Sequence, residues 1–197
     1  MTQLPSSRHA AFATARSAFL CVAFAAAASA SFAQAAAVEA PSVQVAFSPD
    51  AGAETLVLRS IESAHASIRL AAYSFTAPRV VKALVDAKRR GVDVAVVVDM
   101  KNNLSDDRSG KSRAALNLLV NAGIPTRTIS AYAIFHDKFA VIDGKTVETG
   151  SFNYSEAAAH RNSENVIVIW NSPPVAAQYL EHWTDRWNKG VAYTSSY

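Results

Sequence analysis

The stretch Phe135-His136-Asp137-Lys138-Phe139-Ala140-Val141-Ile142-Asp143-Gly144-Lys145-Thr146-Val147-Glu148-Thr149-Gly150-Ser151-Phe152-Asn153 decides the fold. Its first half, 135–142, alternates and carries the β-prone bulk of Phe139, Val141 and Ile142. Asp143-Gly144 is a two-residue turn signal. Residues 146–149 then return as β-branched and polar positions. The pattern predicts a β-hairpin. Side chains in a strand alternate faces, so His136 and Lys138 are expected to point one way and Asp137 the other. On the return strand Thr149, Ser151 and Asn153 share a parity, and Gly150 lets backbone or ligand approach closely.

A histidine on a strand, a lysine two residues later and an Asp-Gly turn are each ordinary. Their joint spacing is not. His-x-Lys, four residues, Asp, six residues, Gly-Ser-x-Asn sets a nucleophile or base, a fixed cation, a turn and two small hydrogen-bonders within eighteen residues. That set can hold and attack a phosphodiester without a metal. Asp143 is assigned to the turn, because seven residues at ~3.3 Å each keep it from touching His136.

Outward from the hairpin, strands and helices alternate. Residues 43–47 read as a strand, with Ser48 or Asp50 able to cap a helix over 53–64. A strand over 67–75 follows. Thr76 can cap the next helix, with Pro78 in its first turn, and Gly91 stops it. Residues 92–98 are almost continuously apolar, as in a buried parallel strand. A polar loop over 100–112, a helix over 113–122, the hairpin, a short helix over 155–159, a strand over 165–170 and a helix over 174–187 complete the chain. The expected fold class is α/β: a mixed, largely parallel β-sheet flanked by helices on both faces. There is no internal repeat.

Residues 1–33 have the form of a signal peptide. Arg8 and Arg16 make a basic start, 18–28 is an apolar run too short to span a bilayer, and Ser31-Phe32-Ala33 offers a cleavage site after Ala33. Residues 34–42 read as a flexible mature N-terminus and 43–197 as one catalytic domain. The single cysteine, Cys21, lies in the leader, and Leu20 before it argues against lipid attachment. The mature chain then has no disulfide and no thiol chemistry. About 160 residues remain, enough to bury roughly 70% of the unfolded surface without staples. The leader carries two of the 19 basic residues and none of the 16 acidic ones, so the remainder is close to neutral. Affinity for a polyanion must come from local clustering. The expected location is periplasmic or secreted, with no stable membrane anchor in the mature chain.

His136, Lys138, Asp143, Gly150, Ser151 and Asn153 together resemble the HKD signature of the phospholipase D superfamily. The likeness extends over about 43–197. It includes Ala71-Ala72-Tyr73-Ser74-Phe75-Thr76-Ala77-Pro78 and Asn162-Ser163-Glu164-Asn165, and it is nearest to the small secreted endonuclease branch, with one motif per chain. The resemblance implies the phospholipase D/nuclease fold and a metal-independent phosphodiesterase with no cofactor. It implies that His136 attacks phosphorus to form a phosphohistidine, and that His136 of a twin chain protonates the leaving oxygen. A homodimer sharing one site would supply both. Lys138 and Asn153 would bind and stabilise the phosphoryl oxygens. Ser151 would hydrogen-bond the phosphate or His136, and Glu164 would orient His136.

The expected substrate is nucleic acid, DNA before RNA. A lipid phosphodiesterase of phospholipase D type and a non-catalytic nucleic-acid-binding module are the alternatives. A loop bearing Lys101, Asn102, Asn103, Arg108, Lys111 and Arg113 could track a phosphate backbone. His65, His160 and His182 read as structural or solvated, and Trp170, Trp183 and Trp187 as core or interface rather than base-stacking platforms.

Overall fold

The computed structural model describes residues 40–195, so the expected leader lies outside the described residues. The element order is β1 (Ser42–Ser48), α1 (Ala53–Glu62), β2 (Ser67–Ala72), α2 (Pro78–Arg89), β3 (Asp93–Asp99), a π-helical segment (Lys101–Asp106), α3 (Lys111–Asn121), β4 (Thr126–Ile129), β5 (Lys138–Ile142), β6 (Thr146–Gly150), α4 (Glu156–His160), β7 (Glu164–Trp170), α5 (Pro173–Lys189) and β8 (Val191–Ala192). The strands form one sheet in the order β1-β7-β6-β5-β2-β3-β4-β8. The α/β architecture with helices on both faces is as expected.

The sheet is mixed but mostly antiparallel, which corrects the expectation of a largely parallel one. Among the described strands only β2–β3 and β3–β4 pair in parallel. Helical crossovers link these strands, as parallel pairing requires. After β4 the chain doubles back through short links into β5 and β6, and α5 later carries it from β7 across the sheet to β8, antiparallel to β4. β5 returns antiparallel to β2, β6 to β5, β7 to β6 and β1 to β7. The alternating strand–helix pattern was legible, but a chain reversal inside the irregular segment 130–137 was not.

The apolar run of β3 is central: Val94, Val96, Val97 and Val98 are fully buried, as a strand covered on both faces must be. One core joins α1, α2 and α3 to Leu70, Val96, Ala140 and Val168. A second joins α5 to Val97, Phe139, Val141 and Val147 through Ala176 and Trp183. Each buried Val, Leu or Phe among them contributes about 1.5–3 kcal/mol.

Helix starts differ from the sequence reading. α1 begins behind Gly52 in the left-handed region rather than under a Ser48 or Asp50 cap. α2 begins behind Ala77 with Pro78 at its first position, while the Thr76 and Ala77 N–H groups donate to the Tyr154 carbonyl at 2.8 Å each. Ser155 does cap α4, accepting from Ala158 N–H at 3.2 Å. The short strands β4 and β8 and the π-helical segment carry no periodicity strong enough to read.

One buried group ties the core to solution pH. Glu148 on β6 is 1% exposed and accepts a 2.7 Å hydrogen bond from the Tyr154 hydroxyl. Burial pushes its carboxyl up to about 7, although the Tyr154 bond pulls the other way. An acid raised on folding contributes stability that is complete below the ordinary carboxyl range and lost as pH climbs through about 7. Wild type is therefore expected to lose roughly 2–3 kcal/mol between pH 4.5 and 8 from this residue. Glu148→Gln should flatten that slope. Urea unfolding of both proteins across the range checks it, and parallel curves would refute it.

Candidate active site

The motif residues meet where the C-terminal ends of β2, β3 and β6 face the N-terminal ends of β5 and β7. The registers dictate this. Ala72 pairs with Lys138, Phe139 with Thr149, and Gly150 with Val166. Gly150 must be glycine. Its φ is +150°, and a Cβ there would stand 2.2 Å from the Asn165 carbonyl oxygen. The close approach anticipated at this position is made by the backbone of β7.

Lys138 opens β5 and is 8% exposed. Its Nζ donates to the His136 carbonyl at 2.9 Å and sits 5.3 Å from the Tyr73 ring centre. Burial lowers its pKa, while the carboxylates of Glu164 and Asp137 act to raise it. The cation is thus fixed rather than mobile. His136 precedes β5 in irregular chain, so strand alternation does not govern it. Its ring is exposed and meets Tyr73 edge-on, with centroids 4.6 Å apart. Among the described residues its ring nitrogens make no hydrogen bond.

Asp137 does not turn away, as alternation had suggested. It lines the same cavity, about 410 Å³, as His136, Lys138, Gly150, Tyr179 and His182. His182 Nε2 lies 2.7 Å from its carboxylate. His182, read as structural or solvated, thus stands beside the motif although it is distant in sequence, with no local pattern to announce it. Trp183 and Trp187 do pack as core, stacked with centroids 4.8 Å apart.

Glu164 opens β7 but does not reach the His136 ring. The Ser151 hydroxyl donates to it at 2.6 Å and the Asn162 amide at 2.9 Å. Antiparallel pairing with β6 sets Glu164 beside Ser151, which also accepts from Asn165 N–H at 3.0 Å. Ser151 is thus engaged in supporting the strand ends rather than in contacting His136. Asn153 is half-buried between Phe152 and Tyr154, and its Oδ1 is buried without a hydrogen bond among the described residues. Because an amide oxygen only accepts, a phosphoryl oxygen would be met by the Asn153 Nδ2 donors and not by this buried atom.

Asp143 acts as expected, far from the site. Its carboxylate accepts from the N–H groups of His65, Ala66 and Ser67, at 3.0, 2.7 and 2.9 Å. Burial opposes its ionisation, but the three donors win and hold its carboxyl below the usual range.

Two positioning groups were not read from the sequence. Asp99, at the end of β3, is 3% exposed and accepts from Asn102 N–H at 2.6 Å and Phe135 N–H at 2.8 Å. Asn103 accepts from Phe75 N–H at 2.9 Å and donates to the Tyr73 and Asp99 carbonyls at 2.6 and 2.8 Å. Asn103 is buried, so it leaves the expected phosphate-tracking set, whereas Lys101, Arg108, Lys111 and Arg113 are exposed. The only signal was a short polar residue directly after an apolar run. Among the described residues no three His, Cys, Asp or Glu gather as a metal site, and no helix is long and apolar enough to cross a membrane.

Comparison with known proteins agrees with this architecture. Residues 57–187 match the family described as cardiolipin synthase, PLD-like domain. The chain is 36% identical over 144 residues to a phospholipase D of Rickettsia conorii, covering 73% of this chain and 68% of that protein. It is 31% identical over 133 residues to the mitochondrial cardiolipin hydrolase of Canis lupus familiaris, spanning 68% of this chain and half of that protein. Among solved structures, Nuc from Salmonella typhimurium, a phospholipase D family member, superposes with a TM-score of 0.76 at 55% identity, covering 79% of this chain and all of Nuc. NucT from Helicobacter pylori shares the fold at a TM-score of 0.64 and 21% identity, over 78% of this chain and all of NucT. With that agreement across nearly the whole folded region, the chain belongs to the phospholipase D superfamily and is a phosphodiester hydrolase.

Proposed function

We propose that the protein is an exported, metal-independent endonuclease that hydrolyses DNA, and RNA second, as a homodimer sharing one active site. The observation that carries the chemistry is the exposed His136 imidazole beside a lysine ammonium fixed by its own hydrogen bond to the His136 carbonyl. Imidazole nitrogen attacks phosphorus, the bond to the leaving oxygen breaks, and that oxygen takes a proton from His136 of the second copy. Water then attacks the phosphohistidine, the P–N bond breaks to free the first imidazole, and the water proton passes to His136 of the second copy. Lys138 and Asn153 stabilise the charge on the phosphoryl oxygens, where one donor is worth ~3 kcal/mol.

The dimer is supported by an uncovered part of the sheet. Val43, Val45 and Phe47 on β1 are 55–61% exposed. They pair directly with Ile169, Ile167 and Asn165 of β7, so all six share a face. α5 packs across β2, β4, β5 and β6 on that side, and α1 covers β1 and β7 on the other. The apolar patch is continuous with the site, since Ile167 pairs with Thr149 at the cavity wall. A patch of this kind on a single-motif chain suits a twofold, self-complementary contact.

A polynucleotide is favoured by exposed Lys101, Arg108, Lys111 and Arg113 after β3, whose terminal Asp99 holds Phe135 next to His136. Export is carried by the leader sequence. A lipid substrate is the second reading, favoured by relatives named phospholipase D and cardiolipin hydrolase. Purified protein in millimolar EDTA is expected to nick plasmid DNA and leave phosphatidylcholine vesicles intact. Choline release without nicking would replace the nuclease reading with the lipid one. Loss of nicking in EDTA with recovery in Mg²⁺ would overturn the metal-independent mechanism.

A further inference from the structure

The proposed nucleophile sits on chain that belongs to no strand or helix, yet attack on phosphorus needs the imidazole held to a fraction of an ångström. A misplacement of about 1 Å can cost ~100-fold. Among the described residues the His136 ring has only the edge contact with Tyr73 to locate it. Its placement must therefore come from the backbone on either side. Upstream, Phe135 N–H is anchored to Asp99 at 2.8 Å. At the residue itself, the carbonyl accepts from Lys138. Downstream, the Asp137 carboxylate meets His182 Nε2 at 2.7 Å.

His182 is a rigid anchor. Its neighbour Trp183 is 5% exposed, stacks on Trp187 and donates its indole N–H to the Leu70 carbonyl of β2 at 2.9 Å. The His182 ring itself lies 5.9 Å from that of Phe139 on β5. A continuous path thus runs from the buried sheet through α5 to the residue next to the nucleophile. Both partners are partly exposed, with side chains 39% and 31% accessible, so an ion pair here adds little to stability. Its consequence is geometric. It also sets an imidazole against a carboxylate that would otherwise stand bare beside a phosphate site.

We propose that His182 is a positioning residue for His136, acting through Asp137. The inference rests on the phosphodiesterase reading of the His136 site. His182→Ala is expected to lower kcat about tenfold. The loss should appear equally on bis(p-nitrophenyl) phosphate and on a DNA oligonucleotide, because the defect lies at the reacting atom and not along the strand. His182→Gln, which keeps a donor near the Nε2 position, should recover most of that loss. Asp137→Asn combined with His182→Ala should cost no more than the worse single variant, since both cut the same link. Thermal midpoints should stay near wild type, which separates positioning from folding. The ¹⁵N resonances of the His136 imidazole should shift or broaden in His182→Ala. Wild-type kcat on both substrates with unchanged His136 resonances would overturn the proposal, as would losses that add in the double variant. If wild type cleaves neither substrate, the functional reading fails, and the His136 resonances alone decide the tether.

Discussion

Replacing His136 with alanine is expected to reduce hydrolysis by at least ~10⁴-fold while leaving the protein folded. The two halves of that expectation have separate causes. The reaction loses both its nucleophile and, in a shared site, its proton donor. The fold loses one exposed ring with a single edge-on aromatic contact, worth about 1 kcal/mol. His136→Asn should still bind DNA, because Lys138 and Asn153 remain to hold phosphate. Tagged heterodimers carrying one wild-type chain give the sharpest measurement. A shared site makes them nearly inactive, whereas half the wild-type rate would mean independent sites and would end the shared-site mechanism. Circular dichroism on the same preparations checks that the fold is intact.

Val45→Glu is expected to convert the protein to a monomer and to lower activity by ~10³-fold or more. Val45 is 61% exposed at the middle of β1, so a charge there costs the isolated chain little. Buried in a twofold contact, the same charge meets its own symmetry mate across an apolar patch and is strongly disfavoured. Catalysis then fails for want of the second imidazole, although every motif residue is present. Sedimentation velocity alongside plasmid nicking tests both parts. A Val45→Glu protein that remains dimeric would move the interface elsewhere. A monomer with full activity would remove the need for a second copy.

Much of the site was legible because its chemistry is written locally. The spacing from His136 to Asn153 follows one hairpin, and hairpin registers are fixed by short-range rules. Asp143 was read as a turn residue for the right reason, distance, although its three backbone donors at 65–67 could not be foreseen. The failures share a cause. His182, Asp99 and Asn103 reach the site from elements distant in sequence, and nothing nearby in the chain marks them. Glu164 was expected beside His136, and within one chain it meets Ser151 and Asn162, because sequence order shows which strand a residue opens and not which neighbour it meets across the ladder. The same limit explains the sheet. Apolar periodicity reveals strands, whereas their direction is set by where the chain doubles back, and 130–137 does so without a turn signature.

The pairing of the first strand with the seventh sets when this protein can acquire its activity. Gln44 and Trp170 are hydrogen-bonded across 126 residues of sequence. A chain emerging from the ribosome carries β1 long before its partner exists. Glu164, the support of Ser151 and the closing ladder of β7 all come from a stretch made after β1 to β6. Until that stretch is available the hairpin with His136 can form, but β6 has no neighbour on one side and Gly150 has no backbone to lie against. A chain without β7 therefore lacks the backbone against Gly150 and the carboxylate that holds Ser151. For an enzyme proposed to cut nucleic acid, competence then waits until β7 has been made.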